Sequence, residues 1–191
     1  MNRGERELRV IGGRLRGRKW RFPDAPGLRP TPDRVRETLF NWLQPRIAGA
    51  RCLDLFAGSG ALGIEALSRG AAEVTFCEPH GPAAALLGAT LRTFGIDGTA
   101  SVLQRPAEHV LRETRGPYDI VWLDPPFDSP LLETSIGLLA GRELLAADAR
   151  IYVEQPARDP LPVVPPAWQL HRHGKAGEVG YHLYRNSPEG P

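Results

Sequence analysis

The chain has 191 residues, 41% hydrophobic, 24% charged and 7% aromatic, enough for one sizeable core and too few for two full domains. Its net charge of +2 hides an asymmetry: residues 1–51 carry 13 Lys and Arg against 5 Asp and Glu, and the remainder 11 against 17, so basic charge gathers where a polyanion would be met. Cys52 and Cys77 form no CxxC and no Cys/His cluster, which excludes a disulfide framework and a structural zinc, and no apolar run approaches the ~18 residues of a membrane span, so a soluble, cytoplasmic chain is expected.

Residues 8–11 and 14–22 read as a small β-hairpin turning at Gly12-Gly13, with Arg9, Arg14, Arg16, Arg18, Lys19 and Arg21 on it and a loop over 23–30 behind it. A helix start follows: Thr31 is placed to cap, and Pro32 suits the first helical position, where its missing N–H is not needed. Val35, Leu39, Trp42 and Leu43 share one face of that helix, Arg34, Glu37 and Asn41 the other, and it is predicted to end near Pro45. Apolar runs at 52–56, 73–77, 99–104, 118–123 and 149–154 then alternate with amphipathic segments at 61–69, 81–94, 107–114 and 130–140. Repeated βα units with near-continuous apolar strands predict a parallel sheet covered by helices on both faces. The proline-rich stretch 155–166 is predicted to be irregular, and strands at 168–172 and 180–185, around a turn over 173–179, suit an antiparallel hairpin at the sheet edge.

Two constellations carry chemistry. The first, Asp54-Leu-Phe-Ala-Gly58-Ser-Gly60-Ala-Leu-Gly63, lies between the first parallel strand and its helix, where glycines let the backbone approach a ligand at the carboxyl end of the sheet. Glu78 ends the next strand, placed to accept hydrogen bonds from ribose hydroxyls. This pattern fits a dinucleotide oxidoreductase as well as an S-adenosylmethionine (SAM) enzyme. The second constellation, Asp124-Pro125-Pro126-Phe127, decides between them. An acid accepts hydrogen bonds from an exocyclic amine, two prolines stiffen the backbone and its carbonyls, and an aromatic ring stacks on a base. Hydride transfer calls for none of this.

Together these motifs resemble the class I SAM-dependent methyltransferases that modify exocyclic amines. The segments Val10-Ile-Gly-Gly-Arg-Leu-Arg-Gly-Arg-Lys, Leu28-Arg-Pro-Thr-Pro-Asp-Arg-Val-Arg-Glu-Thr-Leu-Phe-Asn-Trp-Leu43, Ile151-Tyr-Val-Glu154 and Lys175-Ala-Gly-Glu-Val179 narrow the match. With the glycine loop they resemble the RsmD family of 16S rRNA guanine-N2 methyltransferases over nearly the whole chain. The resemblance implies a doubly wound, mostly parallel seven-stranded α/β sheet of Rossmann-like type over residues 31–186, a basic hairpin extension over 1–30 and a tail over 187–191. It implies methyl transfer from SAM to N2 of one guanine in the helix 31 loop of 16S rRNA, on a 30S subunit or late assembly intermediate. Asp54, Gly58 and Gly60 would then border the methionine part of SAM, with Thr31 and Phe56 also at the cofactor, Glu78 at its ribose, and Asp124, Pro125, Pro126 and Phe127 at the target base. Where related enzymes offer an Asp or Asn to adenine, this chain reads Gln104-Arg-Pro-Ala-Glu108, so the backbone N–H of Ala107 is expected to serve instead.

The arginines of the N-terminal segment alternate with Leu15, Trp20 and Phe22, so one face can pack while Arg9, Arg14, Arg16, Arg18, Lys19 and Arg21, joined by Arg34 of the first helix, meet phosphates. His171 and His173 lack a third ligand and His80, His109 and His182 stand alone, so no metal is expected. A methyltransferase of another exocyclic amine, such as adenine N6, is the alternative, disfavoured because no separate sequence-reading domain is present. A non-catalytic RNA-binding assembly protein is disfavoured by the intact motifs. With no exposed apolar stripe, a monomer is expected.

Overall fold

The computed structural model describes residues 5–23 and 31–187, so the loop expected at 23–30, apart from Pro23, and parts of the predicted N-terminal extension and C-terminal tail lie outside the described residues. Strands β1 (Glu5–Arg9) and β2 (Lys19–Pro23) pair antiparallel in a separate two-stranded sheet. After α1 (Asp33–Ile47), β3 (Arg51–Asp54), α2 (Ala61–Ser68), β4 (Glu73–Cys77), α3 (Gly81–Phe94), β5 (Ala100–Leu103), α4 (Ala107–Glu113), β6 (Tyr118–Leu123), α5 (Leu131–Ala140) and β7 (Leu145–Pro156) alternate. The hairpin β8 (Trp168–Ala176) and β9 (Val179–Asn186) closes the order. The large sheet runs β5-β4-β3-β6-β7-β9-β8, with β3 to β7 mutually parallel and β9 antiparallel to both neighbours. Strand order reverses between β3 and β6, and ligands of such sheets bind beyond the carboxyl ends of the strands at that point.

Two clusters hold the layers together. One packs Leu39, Phe40 and Leu43 of α1, Ile64 and Leu67 of α2 and Leu87 and Leu91 of α3 on Phe76, Trp122 and Tyr152 of the sheet. The other packs Val110 and Leu111 of α4 and Ile136 and Leu139 of α5 on Leu53, Val121, Leu123 and Ile151. The central strands β3, β6 and β7 bury both faces, as their apolar runs require. Among the described residues no helix is long and apolar enough to cross a membrane.

The hairpin differs in register from the expectation. It does not turn at Gly12-Gly13; residues 10–18 form a wide connection, closed by hydrogen bonds of 2.9 Å from Val10 N to Arg18 O and from Gly17 N to Val10 O. The cause is tertiary. The N–H groups of Ile11 and Gly12 donate to the Glu65 carboxylate at 2.8 Å each, and those of Arg14 and Leu15 to Ser68 at the end of α2. Gly13 takes φ +74° there, where a Cβ would lie 2.0 Å from the Ser68 carbonyl oxygen. Leu15, Trp20 and Phe22 are buried beneath this segment.

Helix α1 differs at both ends. Thr31 makes no cap; Pro32 takes the capping position, and the Thr31 hydroxyl turns to Glu154. The helix passes through Pro45 to Ile47, whose side chain is buried in the core; one missing hydrogen bond in a last turn is tolerated where packing continues. Trp42, placed by periodicity on the buried face, is half-buried and packs against Tyr181 at a centroid distance of 5.6 Å. Arg36, by contrast, is fully buried. It donates to the Arg9 carbonyl at 3.1 Å and to Asp33 at 2.6 Å, and stands 3.9 Å from Glu65, so it ties the hairpin to α1 and α2. The β8–β9 hairpin is longer than predicted and turns at Gly177-Glu178, with Gly177 at φ +59°. Pairing with β9 carries β8 through His173 and Gly174, and Gly174 leaves room for the Tyr181 ring, 2.4 Å from where its Cβ would be.

Candidate active site at the carboxyl edge of the sheet

Strand β3 ends at Asp54, and residues 55–60 turn the chain into α2. Gly58 and Gly60 adopt φ of +52° and +76°, a region glycine enters without steric penalty. Gly63 acts differently: a Cβ there would lie 2.1 Å from Cε1 of Phe76, so its absence lets α2 lie directly on β4. The buried Asp54 accepts the Gly63 N–H on Oδ2 at 3.1 Å. Glu78, just beyond β4, accepts the Gly58 N–H on Oε2 and the His80 N–H on Oε1, each at 2.8 Å. Both oxygens are thereby oriented by backbone, and each keeps a lone pair for a ligand hydroxyl.

Asp124 follows β6 directly. Pro125 is buried behind it, Pro126 is exposed with its carbonyl accepting the Ser129 hydroxyl at 2.6 Å, and Phe127 presents its ring with 41% of its surface accessible. In the register, Asp54 of β3 stands beside Trp122, Trp122 beside Tyr152, and Leu123 beside Val153. Asp124 and Glu154 are therefore the next neighbours on adjoining strands, spaced about 4.8 Å between backbones. Because side chains alternate, Asp124 and Glu154 form a row on the face covered by α1 to α3, and Asp54 joins them on that face from two residues lower, level with Trp122 and Tyr152.

The row is electrostatically strained. Burial pushes Asp54 up to about 7, against the opposing Gly63 hydrogen bond and with the Glu78 charge adding to the rise. Burial, followed by the charges of Glu154 and Asp54, holds Asp124 well above the ordinary carboxylate range. Glu154 is raised by burial, although the Tyr152 hydroxyl (2.7 Å) and the Thr31 hydroxyl (3.1 Å) both donate to its Oε1. No cationic side chain among the described residues pairs with Asp54, Asp124 or Glu154.

Known proteins share this framework throughout. The family model described as Conserved hypothetical protein 95 matches residues 8–185. Ribosomal RNA small subunit methyltransferase D of Escherichia coli is 50% identical over 187 residues, covering 98% of this chain and 94% of the relative. The chain belongs to the RsmD family. The Haemophilus influenzae member is 44% identical, over 94% of each chain. The solved structure of the Escherichia coli protein yhhF superposes with a TM-score of 0.90 at 47% identity, covering 96% of this chain and all of that one.

Within this RsmD framework the residues singled out by sequence converge unevenly. Asp54, Gly58, Gly60 and Glu78 surround the glycine loop, and Thr31 reaches the same edge through Glu154. Phe56 is half-buried against the α4–α5 cluster. Ala107 is the first residue of α4, so its N–H has no partner within the helix. The basic residues divide. Arg9 pairs with Asp33 at 3.1 Å and Lys19 with Glu7 at 2.8 Å, while Arg18 lies 4.3 Å over the Phe94 ring and donates to the Thr93 carbonyl. Arg14 and Arg16 project from the wide connection, with Arg21 and Arg34 also exposed.

Trp20 links the two regions, since its indole N–H donates to the Ser59 carbonyl in the glycine loop at 2.9 Å. Sequence reasoning passed over Glu154 and Tyr152 as site residues. The available signal was that four parallel strands each carry an acid within two residues of their carboxyl end: Asp54, Glu78, Asp124 and Glu154.

Proposed function

We propose that this chain transfers a methyl group from S-adenosylmethionine to the exocyclic N2 of a guanine in 16S rRNA, in the helix 31 loop of the small ribosomal subunit in the cytoplasm, acting as a monomer. The observation that carries the reading is the meeting of the glycine loop and Asp124–Phe127 at the ends of the adjacent strands β3 and β6, in a chain whose 50% identical relative is named a small-subunit rRNA methyltransferase.

The residues present fit the cofactor. Buried Asp54, and Asp124 at the end of the adjacent strand, lack a cationic partner among the described residues and suit a ligand bearing an ammonium and a sulfonium, while Glu78 keeps acceptor capacity for ribose hydroxyls. Gly58 and Gly60 would border its methionine part together with Thr31 and Phe56, and the Ala107 N–H would meet adenine. When bound, S-adenosylmethionine supplies an electrophilic methyl on a positively charged sulfur.

The protein must present the amine. Guanine N2 is a weak nucleophile because its lone pair is delocalised into the ring. Asp124 accepts an N2–H and draws the nitrogen toward tetrahedral geometry, with the rigid Pro125-Pro126 backbone behind it and Phe127 stacked on the base. Alignment of this kind lowers a barrier by about 7–11 kcal/mol. The amine is too weak an acid to lose its proton first, so Asp124 takes the proton as, or after, the methyl transfers. A cation held beside Asp124 favours the ionised carboxylate that this needs. The target base leaves its stack, which a loop nucleotide does more readily than a paired one. Arg14 and Arg16 of the hairpin, with Arg34, anchor the RNA backbone, and Arg9, Arg18, Lys19 and Arg21 add to the positive field around them.

The test is methyl transfer from labelled S-adenosylmethionine to small subunits lacking the modification, beside naked 16S rRNA, tRNA and DNA, followed by nucleoside analysis. Label in N2-methylguanosine from the subunit, abolished by Asp124→Ala, is the expected result. Label in N6-methyladenine instead, or none despite tight cofactor binding, would overturn it.

A further inference from the structure

We infer that Glu154 reads the Watson–Crick edge of the target base by accepting guanine N1–H, and so determines which base enters the site. The inference rests on the guanine-N2 reading above.

Glu154 stands beside Asp124 on the adjoining strand, one step past the pairing of Leu123 with Val153. Its side chain is only 4% exposed. Two hydroxyls, from Tyr152 and Thr31, fix a single oxygen, Oε1. Among the described residues both of these bonds fall on Oε1 and none reaches Oε2. A buried carboxylate anchored through one oxygen therefore keeps the other without a partner among the described residues, beside the residue that meets the amine.

Such an arrangement selects by hydrogen-bond polarity. Guanine is the one RNA base that carries a ring N–H directly next to an exocyclic amine. With N2–H on Asp124, N1–H falls toward the neighbouring carboxylate. Adenine has a lone pair at N1, which a carboxylate repels, and a buried acceptor left without its donor is strongly disfavoured. The donors at Oε1 have a second effect. Tyr152 is buried and its own ionisation is raised by burial and by the Glu154 charge, so it stays a hydroxyl donor and holds the carboxylate in one orientation. The row of acids thereby acquires a division of labour: Asp54 at the glycine loop, Asp124 at the reacting amine, Glu154 at the ring nitrogen.

The test uses small subunits reconstituted around a two-piece 16S rRNA whose synthetic piece carries guanosine or 2-aminopurine riboside at the target position. 2-Aminopurine keeps the amine that accepts the methyl but has a lone pair at N1. It also lacks O6, a deficit common to every protein compared, so the ratio of preferences isolates the N1 interaction. The wild-type protein is expected to prefer guanosine by at least about tenfold in kcat/KM. Glu154→Gln, whose amide can donate to the N1 lone pair, is expected to shrink that preference by about tenfold or more with S-adenosylmethionine affinity, read by calorimetry, within about twofold. Tyr152→Phe, which removes one anchor and preserves the ring, is expected to weaken the preference about threefold, and decides the matter if Glu154→Gln does not fold.

A preference left unchanged by both substitutions would overturn the assignment. So would a loss of cofactor affinity in Glu154→Gln with the base preference intact, which would place this carboxylate at the methionine end. Absence of methyl transfer to guanosine by the wild-type protein would instead overturn the underlying reading, and this assignment with it.

Discussion

Replacing Asp54 by Asn should stabilise the ligand-free protein increasingly as pH rises. The side chain is 3% exposed, and burial raises its carboxyl from an ordinary 3.8 to about 7. The folded state therefore holds the proton more tightly than the unfolded chain does, and stability falls as pH climbs from about 4 through 7, with the full loss present above that window. At about 1.4 kcal/mol per pKa unit the loss amounts to about 4 kcal/mol. Asn has the same shape, keeps an oxygen for the Gly63 N–H and carries no charge to desolvate, so the variant escapes this loss. Its weaker bond to Gly63 removes about 1 kcal/mol at every pH. The difference in melting temperature between variant and wild type should thus widen by about 8–16 °C between pH 4 and pH 8 for a chain of this length. Thermal melts without ligand, across that range, measure it; Asp124 and Glu154 titrate in both proteins and largely cancel. Addition of S-adenosylmethionine should reverse the order, because wild type alone offers the charge. A difference that stays flat within about 1 °C, or narrows with rising pH, would refute the claim that Asp54 is a buried, unpaired carboxyl.

Gly63→Ala should destabilise by about 1–3 kcal/mol in urea unfolding, since its Cβ would press into Phe76 and Val74; an unchanged midpoint would mean that α2 is free to shift. Glu65→Ala should remove about 3–5 kcal/mol, because it leaves the buried Arg36 without its neighbouring carboxylate and strands the N–H groups of Ile11 and Gly12; protease cleavage within residues 10–18 should rise in parallel. Asp124→Asn should lower methyl transfer by about 10²-fold or more while calorimetry still detects cofactor binding. The double substitution Arg14→Ala, Arg16→Ala should reduce the dependence of RNA affinity on log salt by about 1 for each phosphate that these arginines neutralise; an unaltered slope would remove the two side chains from the RNA interface.

Much of this was legible in one dimension. Near-continuous apolar runs such as 118–123, alternating with amphipathic helices, dictate a sheet buried on both faces, because strands of that composition have no face to give to water. The glycines of the loop and the Asp-Pro-Pro-Phe run declare their conformations locally, through positive φ and fixed φ. What periodicity and propensity cannot carry is the partner of a polar group. Thr31 has the look of a helix cap and is bound to Glu154, 123 positions away in sequence; Arg36 has the look of one more charge on a helix and is buried between the hairpin and Glu65. The hairpin turn is displaced from Gly12-Gly13 because a carboxylate on α2 claims its backbone N–H groups. Arg9, Lys19 and Arg18 of the basic segment are likewise held within the protein, by Asp33, Glu7 and Phe94. Local chemistry determined the elements and the two motifs. The tertiary structure alone set Asp124 beside Glu154 with Asp54 two residues lower on the same face, since that arrangement arises from strand order and register, which sequence separation does not encode.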